Sequence, residues 1–364
     1  MENLKNNFHH LLTPPGMGVH TVHTGKEIRE KFHQSFYQST DLEVVKSHWQ
    51  ESLKNIDKVQ DKIKILGIPS DTGGGIQRGA NWGPLFLRER IDYTNALFEL
   101  GDIKTIPHLL HDKYLNKETI KNAQDAIYDG ADLPVSPLSI AEVIASEVFS
   151  SDQKMLSLGG DHSVSYPVVK EWLKARKAKG KRCAIIHFDA HTDLMDQRLG
   201  IDICFASWAY HMIELLERPS DILQYGIRSS GQPKEYWQNK LGIQQFWHHD
   251  FKTIGLNKII KTTLDYLSLR KIDEVYISFD IDFLDSKYAS STGTPEDEGL
   301  SPHDGIAIIK AVGEKFNITG ADLVEVAPFV SSYKKSHESP EPETTLLSSQ
   351  LILNQLIASM QNGG

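Results

Sequence analysis

From about residue 62 the chain alternates short apolar runs with longer stretches in which apolar side chains recur every three or four positions. The runs "KIKILGI" (62–68), "DIKTI" (102–106), "KMLSLG" (154–159), "CAIIHFD" (183–189), "DILQYGI" (221–227), "IQQFW" (243–247), "EVYISFD" (274–280) and "GADLVEV" (320–326) have the composition of strands. Helical periodicity falls near 83–98, 138–150, 165–179, 233–240, 255–268, 303–316 and 343–361. Strands that are apolar on both faces and alternate with helices predict an α/β fold with a mostly parallel sheet covered on both sides. In such sheets ligands gather at the carboxyl ends of the strands. Residues 1–60 differ: they are polar, carry the turn "TPPGMG" (13–18) and become helix-like only from 41. They read as an N-terminal extension packed on a main domain that spans 61–364 without a further boundary.

Composition narrows the function classes. Of 364 residues, 40% are hydrophobic and 24% charged, enough for a sizeable core. The net charge of −9 and the lack of a basic run argue against nucleic-acid binding. Two cysteines, Cys183 and Cys204, are too few for a disulfide framework or a thiolate zinc site and suit a reducing compartment. The start shows no apolar signal core, and no apolar run is long enough for a membrane span. The expectation is a soluble, cytoplasmic protein with no membrane partner.

Three polar stretches each follow a strand-like run: "GGDHS" (159–163), "DAHTD" (189–193) and "FDIDFLD" (279–285). In extended chain every second side chain shares a face. Asp189, His191 and Asp193 would then project together, and Asp280 and Asp282 likewise. So many carboxylates repel one another unless protonated or bound to cations. Four Asp and two His suit two divalent ions, with oxygen favouring Mn²⁺ or Mg²⁺ and imidazole tilting toward Mn²⁺, Fe²⁺, Co²⁺ or Ni²⁺. Two such ions would lower the pKa of a shared water. Four carboxylates, two ions and one hydroxide sum to about −1, which suits a cationic substrate better than a phosphate. Asp161, His187, Asp196 and Asp285 read as supporting residues, with Asp161 orienting His162 or the helix start that follows.

These motifs resemble those of the ureohydrolase family, the arginases, agmatinases and their guanidino-acid and formimino relatives. Supporting matches are "TGTP" (292–295), "GADLVEVAP" (320–328) and "GIQRGANWGP" (75–84), so the likeness covers about 62–360. The resemblance implies a three-layer α-β-α sandwich, two Mn²⁺ ions, and attack of hydroxide on a guanidinium carbon with release of urea and an amine. It also implies trimers or hexamers. Mapped onto this chain, His162 and Asp193 would hold one ion, His191 and Asp282 the other, and Asp189 and Asp280 would bridge both. Glu325 would bind the guanidinium, whose planar donor fork fits a carboxylate. Thr294 would line the pocket.

The chain departs from the family in one segment. Between "DAHTD" and "GIR" (226–228) the family usually carries a His-Gly pair whose His passes a proton to the leaving amine, and none is present here. Cys204 or Phe205 falls near that place. His211 is the candidate general acid in its stead, by a different path. Loop residues that read an α-amino acid are also missing, which weighs against arginine. Phe205, Trp208 and Tyr210 offer cation–π contacts instead. A small or unusual guanidino substrate is expected. Guanidine itself, handled by a nickel-dependent branch, is an alternative, and a formimino compound is a weaker one. The competing classes are a non-catalytic metal-binding protein of the same fold and a single-zinc deacylase. "HH" (9–10), "HTVH" (20–23) and "HHD" (248–250) read as surface or capping groups.

Overall fold

The computed structural model describes residues 8–19, 23–330 and 342–362. Nine strands form one sheet: β1 (Leu12–Thr13), β2 (Ile63–Gly67), β3 (Leu97–Ile103), β4 (Met155–Leu158), β5 (Cys183–Phe188), β6 (Ile222–Tyr225), β7 (Gln244–Phe246), β8 (Glu274–Asp280) and β9 (Asn317–Val324). Their order is β1-β3-β2-β4-β9-β8-β5-β6-β7, and every pairing is parallel except β1 with β3. Successive side chains of the inner strands feed two different cores. Cys183 and Ile185 of β5 pack with the helices Pro137–Ser150 and Ser165–Ala178, while Ala184, Ile186 and Phe188 pack with Leu256–Leu269, Pro302–Gly313 and Glu343–Gln361. Burial on both faces explains why these strands are almost wholly apolar. The result is a three-layer α-β-α sandwich. No helix among the described residues is long and apolar enough to cross a membrane.

Two expectations shift. The helix expected over 83–98 ends at Arg88, and the strand expected at 102–106 lies at Leu97–Ile103. The cause is a buried ion cluster. Arg88 turns inward to pair with Glu99 at 3.0 Å and with Asp102, so two acidic residues occupy a buried strand that hydropathy does not mark. The segment "HTVH" lies, except for His23, outside the described residues.

The same cluster receives the early residues. Asp102 Oδ2 accepts from Gly16 N (2.8 Å) and Gly18 N (3.1 Å), and β1 pairs with β3. From the helices Lys26–Tyr37 and Leu42–Leu53, Phe32, Val45 and Trp49 enter the core, and the Trp49 indole donates to Leu100 O at 2.9 Å.

Candidate metal centre

The sheet order β4-β9-β8-β5 sets four carboxyl ends side by side. After β4, Gly159 and Gly160 turn the chain. A Cβ on Gly160 would lie 1.7 Å from Ser70 O, so this approach needs glycine. A 3₁₀ turn, His162–Val164, follows, and Asp161 caps it by accepting from Ser163 N at 2.7 Å. β5 ends at Phe188, so Asp189, His191 and Asp193 stand in the loop beyond it rather than along an extended strand. Asp193 has φ 50°, and this left-handed turn, not strand period, aims its carboxylate. After β8, Asp280 Oδ1 accepts from Asp282 N at 2.9 Å and starts a second 3₁₀ turn. After β9, Glu325 is also left-handed, with φ 62°.

The six expected side chains come together. His162 Nδ1 lies 3.0 Å from Asp193 Oδ2, 3.1 Å from Asp280 Oδ2 and 3.2 Å from Asp189 Oδ2. His191 Nδ1 lies 3.1 Å from Asp282 Oδ2 and 3.3 Å from Asp189 Oδ1. The two oxygens of Asp189 are thus divided between two histidine-centred groups, as a bridging carboxylate requires.

The donor set fits cations. His162 Nδ1 is buried and makes no hydrogen bond despite three carboxylate oxygens around it. Its other nitrogen, Nε2, meets Ser278 Oγ at 2.9 Å, and Ser278 donates to Asp322 Oδ1 at 2.7 Å. The proton is therefore on Nε2, and Nδ1 presents a lone pair to the oxygens. Protonation shifts report the same crowding. Burial and then the charge of Asp189 push Asp193 up, and burial and then the charges of Asp282 and Asp189 push Asp280 well up. Burial also opposes ionisation of Asp189, but the imidazoles of His162, His187 and His191 around it outweigh burial and hold Asp189 well below the usual range. Neighbouring carboxylates that titrate in opposite directions signal more negative charge than the protein alone compensates.

Around this cluster, Trp208 Nε1 donates to Asp193 Oδ2 at 2.9 Å, and Thr294 Oγ1 donates to Asp282 Oδ2 at 3.0 Å. Trp208 is fully buried and packs its ring against His162 and His187, each 4.9 Å away, so it lies beneath the cluster. Glu325 Oε1 accepts from His162 N at 2.9 Å; burial, then the charge of Asp161, raises its carboxyl well above the ordinary value. His211 is not brought in: its Nε2 lies 2.7 Å from Asp202 O, and its ring meets Tyr166 and Tyr210. Phe205 closes on the loop 72–76 through Phe205 N to Gly73 O (3.0 Å), while Tyr210 N donates to Asp193 O (3.2 Å). His9, His10 and His249 are exposed, and Asp196 accepts from Gln197 N.

Sequence reasoning did not anticipate the roles of Ser278, Asp322, Gln224 and Gln245. A signal was present for Ser278 and Gln224, which follow runs of apolar residues in their strands, but not for Gln245, which stands beside Gln244.

The model describing the Arginase family matches residues 61–357. The chain belongs to the arginase family. Among curated relatives it is 30% identical over 288 residues to an agmatinase of Bacillus cereus, covering 77% of this chain and 88% of the relative. It is 30% identical over 312 residues to the mitochondrial guanidino acid hydrolase of Homo sapiens, covering 81% and 77%. The solved proclavaminate amidino hydrolase of Streptomyces clavuligerus superposes with a TM-score of 0.63 at 21% identity, covering 83% and 93%, a likeness of fold. The chain is therefore a ureohydrolase, an enzyme acting on C–N bonds of small guanidino compounds, in a family that depends on a pair of metal ions.

Proposed function

We propose that this ureohydrolase cleaves a small guanidino compound other than arginine to urea and an amine, with two Mn²⁺ ions. The observation that carries this reading is the division of Asp189 between His162 and His191, with Glu325 beside them. His162 and Asp193 would hold one ion, His191 and Asp282 the other, and Asp189 and Asp280 both. When bound, the ions supply Lewis-acid activation of water at neutral pH. Glu325 pairs with the guanidinium fork, and the arriving cation favours its ionised form. Trp208 and Thr294 fix the orientations of Asp193 and Asp282.

A substrate other than arginine is supported by the segment after "DAHTD", which lacks the loop residues that read an α-amino acid. Relatives named agmatinase and guanidino acid hydrolase are equally identical to this chain, which supports the guanidino class without choosing within it. Guanidine with Ni²⁺ is the second reading, favoured by the same missing loop residues. A cytoplasmic homo-oligomer, trimer or hexamer, belongs to this proposal.

The test is urea release with Mn²⁺ or Ni²⁺ from arginine, agmatine, guanidinobutyrate, guanidinopropionate and guanidine, together with metal content. The expected result is two ions per chain and urea from a small guanidino compound in preference to arginine. No urea from any of the five would reject turnover, and one ion per chain would favour the deacylase.

A further inference from the structure

A single polar row crosses the sheet beneath the metal centre. In register, Ser157 of β4 pairs with Asp322 of β9, Asp322 with Ser278 of β8, Ser278 with His187 of β5, His187 with Gln224 of β6, and Gln224 with Gln245 of β7. All six are buried. Buried polar groups need partners, and those on the β7 side form a chain that ends at Asp189. Trp247 Nε1 lies 3.0 Å from Gln245 Oε1, and Gln245 Nε2 lies 2.7 Å from Gln224 Oε1. Gln224 Nε2 lies 2.9 Å from His187 Nδ1, and His187 Nε2 lies 2.8 Å from Asp189 Oδ2.

The direction of this chain is settled at its ends. An indole N–H can only donate, so the Gln245 oxygen faces Trp247 and the Gln245 amide nitrogen faces Gln224. Gln224 then accepts through its oxygen, and its NH₂ supplies both His187 Nδ1 and the Thr192 carbonyl, 2.6 Å away, which can only accept. Turning over either amide would set like against like at two contacts. His187 Nδ1 therefore accepts, and the ring proton sits on Nε2, directed at Asp189.

We propose that His187 is a positioning residue: a one-way relay from Trp247 through Gln245 and Gln224 fixes its Nε2–H tautomer on Asp189 Oδ2 and so orients the carboxylate shared by the two donor groups. His187 is near enough to His162, Asp189 and Asp193 to count as a further donor for the ion they would hold. The relay excludes that role, because Nε2 carries the proton and Nδ1 is occupied. This inference rests on the two-ion reading of the cluster. It adds a reason for the sheet's polar row: Asp322 and Ser278 fix the tautomer of His162 from one side, and the glutamines fix that of His187 from the other.

Two measurements test it on the full chain. In metal-stripped protein with ¹⁵N-labelled histidine, two-bond ring correlations should place the His187 proton on Nε2; the signal is assigned by its loss in His187→Phe. This reading involves neither metal nor substrate, so its failure is separate from a failure of the urea panel. In metal titrations, His187→Phe should lose about 10- to 100-fold in affinity for the ions. Loaded to saturation, that variant should keep its KM and lose kcat. His187→Gln, whose amide nitrogen reaches the place of Nε2, should recover most of the affinity. A proton on Nδ1, a Phe variant that binds metal as the wild type does, or a Gln variant as weak as Phe each overturns the proposal.

Discussion

Asp161 offers a quantitative handle on the charge stored in this site. Its carboxylate is fully buried, with Oδ1 bonded to Ser163 N at 2.7 Å and Oδ2 without a hydrogen-bond partner. Burial, reinforced by the charge of Asp71 and opposed by the Ser163 hydrogen bonds and Arg78, raises its pKa from 3.8 to about 6. The folded state thus holds the proton more tightly than the unfolded state. The resulting stability is complete below the unfolded pKa near 3.8 and is lost as the pH rises through about 6. Two units at 1.36 kcal/mol each amount to about 3 kcal/mol lost by pH 8. Asp161→Asn keeps an oxygen for Ser163 N and cannot ionise. In metal-stripped protein, the stability of Asp161→Asn relative to wild type should therefore climb by about 3 kcal/mol between pH 4 and pH 8. Urea unfolding followed by tryptophan fluorescence at pH 4, 6 and 8 measures this difference. A difference that stays constant across the range would refute the desolvation argument.

Trp208→Phe keeps the ring that packs on His162 and removes the N–H donated to Asp193. A hydrogen bond to a charged group contributes about 1.5–3 kcal/mol, so calorimetric titration should show the ion assigned to His162 and Asp193 weakened by one to two decades; unchanged affinity would mean the indole only fills space. Asp102→Ala strips the acceptor from Gly16 N and Gly18 N and leaves Arg88 with Glu99 alone. Breaking such a buried pair costs about 3–5 kcal/mol, which should lower Tm and open the early segment to limited proteolysis at temperatures where the wild type resists; an equally resistant variant would show that the helices hold that segment without the latch.

What could be read from the sequence divides along physical lines. Runs such as "EVYISFD" matched β8 from Glu274 to Asp280 because burial on both faces puts apolar side chains at adjacent positions, as at Val275–Ile277. The start of β3, Leu97 and Phe98, falls at the end of the helix expected over 83–98, and Glu99, neutralised by Arg88, interrupts the apolar run that would have marked the strand. The helices Lys26–Tyr37 and Lys117–Tyr128 escaped because most of their positions are polar and few are buried. Six clustered residues were recognisable from their motifs, but their aim was not: Asp193 and Glu325 point into the site through left-handed backbone, which no alternation rule predicts. Gln224 was visible as a polar interruption of an apolar strand, yet its pairing with Gln245 depends on register between strands about twenty residues apart, and only the folded sheet supplies that.

The placement of β9 has a consequence for how the enzyme is made. Every residue assigned to the ions lies between His162 and Asp282, so all six have been synthesised well before Asn317. The last strand nonetheless inserts between β4 and β8, into the middle of the sheet. Five of the ligands end or follow the adjacent strands β5 and β8, whereas His162 follows β4 on the far side of β9, so β9 sets the distance of His162 from the rest. Closing such long loops is slow, and the His162 side of the cluster is therefore completed only when β9 inserts.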